Sequence, residues 1–166
     1  MNADNEFAPR ELAGEAGALW LNSVPAFDGV TAAFATRKTL KEGPAAAFAG
    51  KPLDDNGRVN EEYVARLCAT LGFPYGRLAT CRQVHGTEIC RVALAERRWC
   101  GECDGLATDV VDAPLAVFTA DCVPIVMWAA RPGALAVLHA GWRGTLAKIA
   151  AAAVSRLEEF RGARAG

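Results

Sequence analysis

Two long apolar runs dominate the second half of the chain. Residues 115–130 read LAVFTADCVPIVMWAA, and after an Arg-Pro-Gly turn residues 134–140 read ALAVLHA. Near-continuous apolar runs bounded by turn residues are the signature of strands buried on both faces. The first run spans 16 residues and is interrupted by Asp121 and Pro124. A membrane-spanning helix needs about 20 mostly apolar residues, so a buried strand is the expectation. The second run ends on His139 and passes through Gly141-Trp142-Arg143-Gly144 into a helical pattern starting at Thr145. There Leu146, Ile149, Ala150, Ala153, Val154, Leu157 and Phe160 mark one face of an amphipathic helix.

Weaker patterns fill the first half. Residues 1–28 open as a polar tail, with short strand candidates at 19–24 and 30–36. Asn60 is a good helix N-cap, with Glu61 and Glu62 in the first turn. Val64, Leu67, Cys68 and Leu71 follow at helical spacing, and Gly72 is a stop signal. Residues 78–84 and 88–94 read as strands on either side of His85-Gly86, and residues 95–104 as a loop containing Cys100-Gly-Glu-Cys103. Strands outnumber helices, so the fold class is α+β, a mixed sheet with helices packed outside.

Composition narrows the picture. The 166 residues suffice for one domain with a real core. A content of 52% hydrophobic and 22% charged residues is that of a globular chain. A net charge of −1 without a basic field or a basic amphipathic segment argues against nucleic acid and membrane partners. The N-terminal stretch is polar and acidic, unlike a secretory signal. The six cysteines are therefore expected to be reduced thiols of a cytoplasmic protein, a monomer or weak homo-oligomer.

Chemistry enters through the polar residues of the apolar runs. Asp121, Cys122 and His139 would be costly in buried strands unless paired or bound to something. The chain has only two histidines, His85 and His139, each at the end of a probable strand. Two imidazoles and one thiolate form a plausible zinc ligand set with a fourth position left open, as in catalytic sites. The alternative is two hydrogen-bonded histidines and a core cysteine. Cys100 and Cys103 form a lone CxxC without a second pair at similar spacing. Gly141 to Gly144, with Arg143, reads either as an anion site at a helix start or as a tight turn capped by Trp142.

Four motifs appear in order: Gln83-Val84-His85-Gly86, Asp104-Gly105-Leu106-Ala107-Thr108, Thr119-Ala120-Asp121-Cys122-Val123-Pro124, and His139-Ala140-Gly141-Trp142-Arg143-Gly144-Thr145. Together they resemble the YfiH/YlmD family, also called the polyphenol oxidase or laccase-domain family and regarded as purine nucleoside phosphorylase-like. The resemblance covers about residues 30–160. It implies a layered mixed α/β fold like that of toxin deamidases, and zinc held by His85, Cys122 and His139. It implies phosphorolysis of adenosine, inosine, guanosine and S-methyl-5'-thioadenosine, with adenosine deamination as a further activity. Cys122, His139 and Arg37 are then the expected catalytic residues, and Arg37, Arg143 and Gln83 the expected contacts to substrate or phosphate. Thr36-Arg37 matches the family, whereas Lys38-Thr39-Leu40 and Ala47-Phe48-Ala49 depart from its usual loop. Family members continue beyond the HAGWRG helix, so a single domain lacking the C-terminal elements is expected.

Asp121 either orients a histidine ligand or satisfies backbone donors. Two rivals remain: a thiol hydrolase or deamidase with Cys122 as nucleophile and His139 as its base, and an inactive zinc-binding remnant. Two histidines are too few for the several coppers of a multicopper oxidase.

Overall fold

The computed structural model describes residues 10–11, 20–21, 30, 32–34, 60–93, 98–130 and 133–163. The chain divides into two compact units. One comprises Met1–Pro52 with Asn60–Leu71, the other Leu53–Val59 with Gly72–Gly166.

In the first unit, β1 (Arg10–Glu11), β2 (Trp20–Leu21) and β3 (Ala33–Phe34) pair antiparallel in the order β1-β2-β3. β2 and β3 fall inside the two strand candidates of that region. Helix α1 spans Glu61–Leu71. Its start is set as the sequence implied: the Asn60 side-chain oxygen accepts the Tyr63 amide at 3.1 Å, satisfying a donor that has no partner within the helix. Val64 and Cys68, one turn apart, are buried, as is Tyr63.

The second unit holds the rest. A 3₁₀ turn (Tyr75–Arg77) leads into β4 (Ala79–Arg82), followed by β5 (Ile89–Arg91), β6 (Arg98–Glu102), β7 (Gly105–Thr108), β8 (Val123–Ala129) and β9 (Ala134–Ala140). Two helices close it, α2 (Trp142–Leu146) and α3 (Ile149–Ala163). β4 and β6 form a parallel pair, and the other strands a mixed sheet in the order β5-β7-β9-β8. The fold class is thus mixed α+β, as expected.

The central strand β9 organises both faces of that sheet. Its residues alternate sides. Ala134, Ala136, Leu138 and Ala140 join Ile149, Ala153, Leu157 and Phe160 of α3 in one buried cluster. The small alanines let the helix lie close to the strand. Val137, of opposite parity, packs with a second cluster built from Ala79, Cys81, Val92, Cys103 and Leu106. His139 shares the parity of Val137, so its imidazole leaves the sheet on the face away from α3.

Four details differ from the sequence expectation. Residues 115–130 are not one strand: β8 begins at Val123, and Asp121 and Cys122 lie in the bend before it. Pro124 sits on β8 at the sheet edge, where a missing N–H is tolerated. The stretch expected as a loop at 95–104 contains β6, whose backbone pairs with β4 across a register shift between Thr80 and Arg82. The last helix is two helices. α2 starts at Trp142, and Lys148, at φ 65°, breaks the chain direction before α3. That break rotates Leu146 out of the predicted face, leaving it exposed, and Ala150 and Val154 also face solvent.

Among the described residues, no helix is long and apolar enough to cross a membrane.

Candidate metal centre

Four segments of the second unit converge on the site. They are the β4–β5 connection with Gln83 to Gly86, the β6–β7 link with Asp104, the segment leading into β8 with Phe118 and Cys122, and the end of β9 with His139 and Gly141. The ligating atoms of His85, Cys122 and His139 all lie within 4.8 Å of one another. It is the one such group of three among the described residues. The two imidazoles meet edge to face, with ring centroids 4.9 Å apart.

The residue that builds this arrangement is Asp104, which the sequence presented only as part of a motif. It is fully buried. Its Oδ1 accepts the Nδ1–H of His139 at 2.8 Å and the backbone N–H of His85 at 2.8 Å. Its Oδ2 accepts the backbone N–H groups of Gly86 at 2.7 Å and Val84 at 3.2 Å. Its carbonyl accepts the His139 amide at 2.7 Å. Burial by itself raises the pKa of this carboxyl. The bonds from His139 and from the Gly86, His85 and Val84 amides together outweigh burial and hold it below the usual carboxylate range. Because the folded-state value is depressed, these bonds contribute full stability above the unfolded value of about 3.9, and lose it as pH falls through the folded value. Acid titration of the metal-free chain should therefore show a loss of stability beginning near pH 4. Asp104→Asn should flatten that limb.

Asp121, the sequence candidate for orienting a histidine, is exposed in the bend before β8; the histidine is oriented by Asp104 instead. Asp104 stood in the sequence only within the Asp104-Gly105-Leu106-Ala107-Thr108 motif. Its partners stand 18 to 35 positions away, and no local pattern encodes that separation.

Gln83 ties two of the segments together. Its side-chain Nε2 donates to the Phe118 carbonyl at 2.6 Å, and its Oε1 accepts the Phe118 amide at 2.8 Å. The backbone approaching Cys122 is thereby fixed to the backbone carrying His85. Arg143 is exposed and lies over the Trp142 ring, 5.2 Å from its centroid. Trp142 is itself 71% exposed, so it does not cap the turn by packing. With five residues, α2 has only a small dipole to offer an anion. Arg37 lies outside the described residues.

Space for an ion is kept by Gly141. A Cβ built there would stand 2.9 Å from His85 Cδ2 and 3.2 Å from Cys122 Sγ. The donor set, the imidazole anchored from behind by a carboxylate, and the cleared volume fit a zinc ion. All six cysteines are free thiols. Cys103 packs with Cys81 in one buried cluster, and that neighbour together with burial pushes the Cys81 thiol upward in pKa.

The chain resembles known proteins in sequence and in fold. The sequence profile of the family described as "Multi-copper polyphenol oxidoreductase laccase" matches residues 31–166. A protein named purine nucleoside phosphorylase from Deinococcus radiodurans is 37% identical over 129 residues, 75% of this chain and 49% of that protein. Purine nucleoside phosphorylase YlmD from Geobacillus stearothermophilus is 35% identical over 142 residues, 79% of this chain and 52% of its own length. A protein named adenosine deaminase, from an unknown prokaryotic organism, is 37% identical over 102 residues, covering 55% of this chain and 38% of that one. The crystal structure of the Bacillus licheniformis hypothetical protein YfiH superimposes with a TM-score of 0.71 at 25% identity, over 92% of this chain and 59% of that one. This chain spans about half the length of the first two relatives. With its profile match, its fold and its relatives in agreement, the chain belongs to the laccase-domain family that includes YfiH and YlmD.

Proposed function

We propose that this chain carries the site of a purine nucleoside phosphorylase acting on adenosine, inosine, guanosine and S-methyl-5'-thioadenosine, with adenosine deaminase activity, in the cytoplasm. The observation that carries the proposal is the convergence of His85, Cys122 and His139 within 4.8 Å, in a chain whose relatives bear those two activity names. His85, Cys122 and His139 would hold zinc. Zinc bound there supplies a Lewis acid that polarises an oxygen of phosphate or of the nucleoside.

The remaining tasks fall to the chain itself. Asp104 keeps the proton on His139 Nδ1, so Nε2 is the nitrogen free to act as ligand. Gln83 keeps the His85 and Cys122 segments in register. Arg143 and Arg37 are the proposed phosphate contacts, and Arg37 is also proposed as catalytic; a guanidinium offers paired donors to an oxyanion. Phosphorolysis then requires phosphate to reach the anomeric carbon of the ribose while the purine leaves. Deamination is a different displacement: water adds at C6 of the adenine and ammonia leaves, with the glycosidic bond intact.

The test is base release from inosine, guanosine and methylthioadenosine by metal-quantified protein, with and without phosphate. A longer relative is assayed alongside. Release that depends on phosphate is expected. If neither protein releases purine base, the phosphorylase reading fails. Replacing Arg143 by alanine should raise the phosphate requirement and lower phosphorolytic efficiency by roughly one to two orders of magnitude. Deamination should fall less. Equal losses in both reactions would assign Arg143 to purine binding or folding.

A second reading has its own observation. Asp104, His139 and Cys122 also stand in the order carboxylate, imidazole, thiol, the arrangement of a Cys/His-dependent hydrolase or deamidase. That reading requires a metal-free thiol. Stoichiometric zinc in protein purified without added metal counts against it.

A further inference from the structure

We propose that Asp104 is the positioning residue of this site: one buried carboxylate selects the ligating nitrogen of His139 and fixes the backbone of His85, setting both ligands before a metal arrives. The proposal rests on the metal-site reading above and deepens it.

A carboxylate accepts a limited number of hydrogen bonds. Its two oxygens offer about four acceptor positions, and Asp104 uses four: His139 Nδ1–H and the N–H groups of Val84, His85 and Gly86. No acceptor is left for a metal or a substrate proton, so Asp104 acts only through other residues.

His85 is held in an uncommon backbone conformation. Its φ is 63°, in the left-handed region that a non-glycine residue enters only at an energetic cost. Such a conformation persists where the surroundings over-determine it. Three consecutive N–H groups converging on one carboxylate do so here. The same carboxylate grips His139 from behind, and the Asp104 carbonyl holds the His139 amide as well. Both histidines are therefore referenced to a single buried residue.

Asparagine is the discriminating replacement. It keeps the size but has one acceptor oxygen and one donor group. With its oxygen at the Oδ1 position, its NH₂ meets the Gly86 and Val84 N–H groups. Flipped, its NH₂ meets His139 and His85. In either orientation two donors face donors.

The experiment compares the full-length wild type with Asp104→Asn by three readouts. Chelator competition gives zinc affinity. Nitrogen-15 spectra of the metal-free wild type report which His139 nitrogen carries the proton. Hydrogen exchange follows the Val84, His85 and Gly86 amides. In Asp104→Asn, zinc affinity should fall about 10–100-fold. The three loop amides should exchange faster, while β9 amides such as that of Leu138 keep their protection. In the metal-free wild type His139 should be protonated on Nδ1. A folded Asp104→Asn protein with unchanged zinc affinity overturns the proposal. So does an Nε2-protonated His139 in the metal-free wild type, a readout that stands even if the variant does not fold. If the wild type binds no zinc, the metal-site reading fails, while the spectra and exchange still decide whether Asp104 positions the two histidines.

Discussion

Cys122→Ala should yield a chain that folds normally and retains no zinc after a chelator wash. Cys122 is only partly buried in the bend before β8 and belongs to neither core cluster, so its removal forfeits little packing. What it would remove is one of the three proposed metal donors, and the only sulfur among them. Losing an outer-sphere partner costs about 10–100-fold in metal affinity, and losing a direct ligand should cost more. Metal content measured on purified protein, with thermal unfolding as the folding control, provides the check. His85→Ala should behave similarly; because alanine keeps a Cβ at φ 63°, the left-handed strain at that position remains. Full zinc content in Cys122→Ala, or loss of zinc on changing Cys100 and Cys103 to serine, would place the metal elsewhere.

Gly144→Ala should destabilise the second unit by about 1–3 kcal/mol and disturb the site from outside it. A Cβ at this position would stand 2.7 Å from the Gly86 carbonyl oxygen. That oxygen belongs to backbone and cannot rotate away as a side chain would. Relief requires α2 to move off the 83–86 segment, or that segment to shift with His85. Gly141→Ala separates the two effects. Its backbone is ordinary extended chain at φ −70°, and the nearest atoms to the added methyl belong to His85 and Cys122. Gly141→Ala should therefore lose zinc affinity with little change in unfolding temperature, whereas Gly144→Ala should lose both. If Gly144→Ala unfolds at the wild-type temperature, α2 does not brace the His85 loop as described.

The two variants also mark what was legible in the sequence. The motif ending in Gly141-Trp142-Arg143-Gly144 was visible as a turn entering a helix, but the reason for each glycine was not. One clears space for the ligands, and the other admits a carbonyl from a loop nearly 60 positions earlier. Arg143 stood out in the motif, yet its stacking on an exposed Trp142 is a tertiary fact.

Sequence alone determined the local elements. Helix α1 follows from its Asn60 cap and the spacing of Val64 and Cys68, and β9 from an apolar run between turn signals, because these preferences act over a few residues. The mixed α+β class followed from counting such elements, and the ligand types from the scarcity of histidine in the chain. Strand limits were less legible where pairing decided them. β6 forms because β4 supplies partners for its backbone, and β8 starts late because Asp121 and Cys122 fall in the bend that carries the thiol toward the histidines. Only the tertiary structure decided that Asp104, rather than Asp121, holds the histidines. A hydrogen bond depends on distance in space. The separations of 18 to 35 residues that Asp104 spans become 3 Å contacts only after β5, β7 and β9 have set their order in one sheet.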